Sequence, residues 1–127
     1  MRPDAICTVA ETPGEAFATL VARSLNVQAP VKVPRPDLKR VTSTGLPPDI
    51  RKPFDGRENV LIVDDGINYG ETVRRLIAFC RAAGTVPMGV LVLDSRLPAK
   101  SSEAISALMG RHPVVALYNW PSRMRGL

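Results

Sequence analysis

Asp64 and Asp65 stand side by side at the end of an apolar run, and the next seven residues, 66 to 72, read GINYGET. Adjacent carboxylates accept hydrogen bonds from vicinal hydroxyls, and they can also meet a magnesium ion through its water shell. The spacing predicts a helix beginning near Glu71. The N–H groups of Gly70, Glu71 and Thr72, the Thr72 hydroxyl and the positive end of the helix dipole would together form an anion site. Two acids beside such a site repel a bare phosphate. They suit a ligand with a phosphate at one end and hydroxyls, or a magnesium ion, a few ångströms away, as in a ribose 5-phosphate.

The elements that must position this stretch follow from periodicity. NVLIVDD (59–65) is a nearly continuous apolar run capped by acids, as expected of a central parallel strand covered on both faces. After Gly70, Val73, Leu76, Ile77 and Cys80 recur at helical spacing, and Gly84 stops the helix. Upstream, AICTVA (5–10) reads as a buried strand. A helix start follows it, with Thr12 as N-cap, Pro13 at the first helical position and Glu15 completing a capping box. Phe17, Leu20, Val21 and Leu25 would form its buried face. PVKV (30–33) is a short second strand and VPMGVLVLD (86–94) a further buried one. Ser101 or Ser102 can cap a helix that turns Ile105, Leu108 and Met109 inward, and VVALY (114–118) supplies a last strand. Strands alternating with helices predict an α/β fold, a compact, mostly parallel sheet flanked by helices, in one domain spanning residues 1–127. Ligands in such sheets bind beyond the carboxyl ends of the strands, where Asp64 and Asp65 lie.

Composition narrows the function classes. At 127 residues, 45% hydrophobic and 23% charged, the chain has the balance of a globular domain. It lacks the roughly 20 consecutive apolar residues of a membrane span. Its apolar N-terminal stretch is too short for a signal peptide, so the expected location is cytoplasmic. Cys7 and Cys80 lie in apolar runs and read as small buried hydrophobes, implying neither a disulfide framework nor a metal site. The net charge of +5 suits phosphorylated small molecules or nucleic acid, without choosing between them. Much of the basic excess lies between Lys32 and Arg57, a proline-rich stretch in which VTST (41–44) could join a β-ribbon. Such a segment reads equally as a solvated loop. Tyr118 and Trp120 read as core packing and a hydrophobic tail contact, and His112, before Pro113, as a surface residue.

VLIVDDGINYGETV, from Val60 to Val73, resembles the 5-phosphoribosyl-1-diphosphate (PRPP) motif of the type I phosphoribosyltransferases: apolar strand, two acids, short loop, Gly-x-Thr and helix. AICTVAETPGEAFA (5–18) resembles that family's first strand and pyrophosphate loop, and the basic segment from 35 to 57 occupies the place of its mobile catalytic loop. The resemblance implies binding of PRPP or a nucleoside monophosphate and transfer of the 5-phosphoribosyl group to a nitrogenous base or amine, with release of pyrophosphate. It implies catalytic roles for Asp64, Asp65 and Asn68. Asp64 and Asp65 would hold the ribose hydroxyls, partly through water on a magnesium cofactor. Asn68, Tyr69, Gly70, Glu71 and Thr72 would cradle the 5-phosphate. Glu11 and Thr12 fall in the pyrophosphate loop, and Lys39, Arg40, Arg51 and Lys52 would close over the leaving group. A homodimer is the implied assembly.

The sequence also departs from that pattern. Tyr69 carries its hydroxyl farther from the backbone than the threonine common at that place, and Asn68 cannot take up a proton as an aspartate does. Glu11 sets a carboxylate where a polyanion would sit. The first strand starts almost at Met1, leaving little sequence for the hood that recognises an acceptor base. These departures support an alternative function, a non-catalytic PRPP- or nucleotide-sensing module of the same fold. A receiver domain, suggested by VLIVDDG and VLVLDSRLP, needs a further strand-helix unit between those strands and more chain after Asp94. A nucleic-acid partner would require a clustered basic face away from the ligand crevice.

Overall fold

The computed structural model describes residues 2–50, 53–67, 70–96 and 114–119, together with Glu103, Ile105 and Ala107. In chain order the elements are β1 (Ala5–Val9), α1 (Gly14–Leu25), β2 (Val31–Val33), α2 (Arg35–Leu38), β3 (Asn59–Ile67), α3 (Glu71–Ala82), β4 (Val86–Ser95) and β5 (Val114–Asn119). The five strands form one sheet in the order β2-β1-β3-β4-β5, and every pairing is parallel. The expected α/β class and parallel sheet are therefore found. The chain winds outward from β1 to β2 and then returns to place β3 on the other side of β1, so the order reverses at β1. Loops leaving β1 and β3 diverge there and open a crevice above the carboxyl ends of the strands.

The two faces of the sheet are covered by different helices. Leu61 and Val63 pack with Ile6 against Ala18 and Ala22 of α1. Val60 and Ile62 belong to the larger cluster, with Val73, Leu76, Ile77, Phe79 and Cys80 of α3. Burial on both faces explains why β3 reads as an unbroken apolar run rather than an alternating one. Ile105, in the helical turn that also holds Glu103 and Ala107, is fully buried in the α3-side cluster. Leu108 and Met109 lie outside the described residues. Cys7 and Cys80 are both buried free thiols, and the hydrogen bond from Cys80, together with burial, pushes the Cys7 thiol well above its ordinary range.

Several local expectations need correcting. The N-cap of α1 is Pro13, with no side-chain cap, not Thr12. The Thr12 hydroxyl instead donates to the Val9 carbonyl at 2.9 Å, because β1 ends tightly enough to bring that carbonyl within reach. Glu15 does fold back, but its carboxylate accepts from the Glu11 N–H, one residue earlier than a Thr12 capping box requires. Leu20 is 61% exposed: α1 turns Gly14, Ala18 and Ala22 onto the sheet, and Leu20 is two residues, about 200° of helical rotation, from Ala18. β3 also outruns the expected end at Asp65. Gly66 and Ile67 pair with Asp94 and Ser95, and the Arg96 N–H donates to the Ile67 carbonyl at 2.8 Å.

The basic segment is partly anchored. Leu38 of α2 and Phe54 are buried in the α3-side core, with Val41, Leu46 and Ile50 packed against it. VTST contributes a single antiparallel bridge, Thr42 with Gly45, and no extended ribbon.

Candidate functional site

At the switch point the structure opens a cleft of about 430 Å³ lined by residues from four strand ends. Val9, Thr12 and Pro13 come from the β1–α1 junction, Arg35 from the residues after β2, Asp64, Asp65 and Gly66 from β3, and Asp94 and Arg96 from the end of β4. Thr72, in the first turn of α3, completes it. Parallel pairing explains why β3 and β4 meet here. Gly66 is the partner of Asp94, so acids near the ends of adjacent strands reach the same rim.

Asp64 is the most enclosed acid, at 6% exposure. Its Oδ1 accepts from the N–H of Asp65 at 2.9 Å. Burial first, and then a hydrogen bond with the Asp65 side chain, push its pKa up to about 7, against the downward pull of the Asp65 N–H and of Arg35. Asp64 therefore sits near the boundary between proton donor and carboxylate at neutral pH.

Its confinement has a specific cause in Gly14. A Cβ on Gly14 would lie 3.0 Å from Asp64 Oδ1, 3.1 Å from Thr8 Oγ1 and 3.3 Å from the Asp65 nitrogen. Only a residue without a side chain lets α1 start this close to the acid pair.

The N-terminal end of α3 begins at Gly70, which takes a left-handed conformation, φ 84°, and offers no side-chain cap. Glu71 turns its carboxylate along the helix to Arg75, 2.7 Å away, and so away from the helix end. Among the described residues no side chain caps the N-terminal donors of α3, and Thr72 lines the cleft beside them.

The other residues singled out from the sequence are distributed more widely. Thr12 lines the cleft, while Glu11, exposed and with φ 60°, is not among its lining residues. Lys39 lines a second cavity of about 510 Å³ between the segment after α2 and the exposed side of α3, with Thr42 and Arg75. Arg40 makes a two-pronged ion pair with Asp49, at 2.6 and 2.8 Å, which holds its guanidinium at the surface. Arg51, Lys52, Asn68, Tyr69, His112 and Trp120 lie outside the described residues, and Tyr118 occupies the β5 position paired with Asp94. Sequence reasoning did not select Arg35, Asp94 or Arg96 for the site. Asp94 carried a usable signal, since it ends the β4 run as Asp64 and Asp65 end that of β3. Arg35 carried none beyond membership of a basic segment.

Among the described residues no three histidines, cysteines or acids converge closely enough to hold a metal ion. Adjacent carboxylates in an open cleft instead match the way magnesium is held by one or two acids, water and the oxygens of a phosphorylated ligand.

No protein-family model matches the chain. It is 39% identical over 77 residues to the orotate phosphoribosyltransferases of Xanthomonas euvesicatoria pv. vesicatoria (strain 85-10) and Xanthomonas axonopodis pv. citri (strain 306). That match covers 55% of this chain and 34% of theirs, so the chain matches about a third of the length of these curated relatives. In structure it is similar to adenine phosphoribosyltransferase from Thermoanaerobacter pseudethanolicus, with TM-score 0.67 and 19% identity over 94% of this chain and 72% of that one. It is also similar to orotate phosphoribosyltransferase from Aeropyrum pernix, with TM-score 0.61 and 21% identity over 93% of this chain and 60% of the other.

Proposed function

We propose that this chain, which has the fold of phosphoribosyltransferases and a sequence related to enzymes of that name, binds PRPP or a nucleoside monophosphate in the switch-point cleft and transfers the 5-phosphoribosyl group to a nitrogenous base or amine. The observation that carries this reading is the juxtaposition of Asp64 and Asp65 with the uncapped first turn of α3 and Thr72 in one cleft.

The N–H groups of Gly70, Glu71 and Thr72 and the Thr72 hydroxyl bind the 5-phosphate. Asp64 and Asp65 accept from the ribose 2- and 3-hydroxyls and fix the sugar. Arg35 and Arg96 place cationic charge along the same cleft, suited to the diphosphate. With the sugar held, the bond from the anomeric carbon to the diphosphate oxygen breaks and its electron pair leaves with pyrophosphate. The acceptor nitrogen supplies the pair for the new carbon–nitrogen bond and loses a proton to solvent. Positioning and neutralisation of the leaving group are the protein's contributions. Magnesium, met by Asp64 and Asp65 through its water shell, supplies further neutralisation of the diphosphate when bound. A cytoplasmic location, a single functional domain and a homodimeric assembly rest on the same reading. No described helix is long and apolar enough to cross a membrane.

One observation favours the sensing alternative. In the loop that would meet pyrophosphate, the Glu11 N–H is already taken by the Glu15 carboxylate, which also holds Lys32 at 3.0 Å. The deciding experiment is pyrophosphate release from PRPP and magnesium with orotate, adenine or other nitrogenous acceptors offered in turn. Acceptor-dependent release is the expected result. Saturable PRPP binding without release for any acceptor would replace the transferase with the sensor.

A further inference from the structure

The buried surroundings of Asp64 contain a polar atom that the fold alone does not explain. Thr8 lies in the middle of β1, fully buried, between Cys7 and Val9, which are fully buried as well. Among the described residues its hydroxyl has no hydrogen-bond partner. A buried hydroxyl left unpaired is destabilising, and valine would fill the same volume without that cost. The surroundings of this hydroxyl are specific. The three heavy atoms nearest to where a Gly14 side chain would begin are Asp64 Oδ1, Thr8 Oγ1 and the Asp65 nitrogen, all within 3.3 Å of that point. Two of them are already bonded to each other, the Asp65 N–H donating to Asp64 Oδ1, and the hydroxyl is the one left over.

Resting on the ribose-phosphate reading above, we propose that Thr8 is a positioning residue for Asp64: its buried hydroxyl, under the gap left by Gly14, donates to the Asp64 carboxylate when that acid engages a ligand. A carboxylate that accepts from behind has one oxygen fixed and presents the other to a sugar hydroxyl in a single orientation. Asp64 is well suited to such a shift, because its present bond to the adjacent N–H is local and a rotation of the carboxyl group exchanges one donor for the other. Gly14 then serves both states, since any side chain there would sit among these atoms. Arg57, whose Nη1 is the other buried side-chain polar atom without a partner among the described residues, lines neither cavity and bonds through its Nε to the Phe54 carbonyl.

Thr8→Val, Thr8→Ser and the unaltered protein separate this role from a packing role. Thr8→Val keeps the shape and removes the hydroxyl, so it is expected to raise the unfolding temperature of the unliganded protein. Its affinity for PRPP with magnesium is expected to fall about tenfold, the scale of a hydrogen bond to a charged group. Thr8→Ser keeps the hydroxyl and should bind within about twofold of the unaltered protein. In an Asp64→Asn background, Thr8→Val should add no further loss. A packing residue would move stability and affinity together. Unchanged affinity in Thr8→Val, or equal losses in Thr8→Val and Thr8→Ser, would overturn the inference while leaving the ribose-phosphate site in place. Failure of the unaltered, folded protein to bind PRPP would overturn that reading and this inference with it.

Discussion

Two strand-to-helix junctions contribute to the cleft, β1 to α1 and β3 to α3, and they turn the acid of the first helical turn in opposite directions. At α1 the acidic residue of the first turn folds back: the Glu15 carboxylate takes the Glu11 N–H and pairs with Lys32, whose ammonium is the main cause holding its pKa below the ordinary carboxylate range. At α3 the acidic residue of the first turn points the other way, with Glu71 paired to Arg75 on the following turn. Neither helix start carries a side-chain cap, so the difference lies in the acid: at α1 it ties down the loop before the helix, and at α3 it turns along its own helix. Similar sequence grammar, an acid in the first helical turn, therefore anchors a loop in one place and leaves the rim of the cleft clear of that acid in the other.

The comparison can be broken most directly at Gly70. Gly70→Val puts a β-branched residue in a left-handed conformation, at a cost of at least about 1–2 kcal/mol, and crowds the phosphate donors. The expected outcome is loss of measurable PRPP binding together with a lower unfolding temperature, read by titration and thermal melting.

A smaller effect should follow from pH. The folded-state pKa of Asp64 is raised to about 7, so the folded protein holds its proton more tightly than the unfolded chain does. The contribution is fully present below the ordinary carboxylate range and is lost as pH rises through about 7. Melting temperatures measured from about pH 5 to pH 8 should therefore fall more steeply in the unaltered protein than in Asp64→Asn. Parallel slopes would remove Asp64 as the cause.

The smallest change is expected at the other junction. Glu15→Gln weakens an exposed ion pair and a loop contact, so PRPP affinity should stay within about twofold, with a slight drop in melting temperature. A large loss of affinity would mean that the α1 junction contacts the ligand as closely as α3 does.

Features written as local periodicity were legible in the sequence. The apolar run of β3, the spacing of Val73, Leu76, Ile77 and Cys80 in α3, and the stop at Gly84 all appear where the pattern places them. Gly84 takes φ 82°, and the Thr85 N–H closes the helix end on the Cys80 carbonyl at 3.0 Å. The acid pair and Thr72 were legible as members of one site because a single strand-turn-helix carries them. Features set by contact between distant segments were not. Thr8 reads as one more residue of a buried strand until Gly14 brings α1 down beside Asp64. Arg35 joins the cleft only because β2 lies next to β1. Leu20 failed for a related reason. Helical spacing allowed two neighbouring faces for α1, and the sheet selected the one made of Gly14, Ala18 and Ala22, whose small side chains permit close packing.

The central claim is that the open end of α3 and the Asp64–Asp65 pair form one ribose-phosphate site. Its most direct test is calorimetric titration of PRPP with magnesium into the unaltered protein and into the Asp64→Asn, Asp65→Asn double variant. Saturable binding that the double variant loses is the predicted result. A folded, unaltered protein that takes up no PRPP, or a double variant that binds it equally well, would contradict the account.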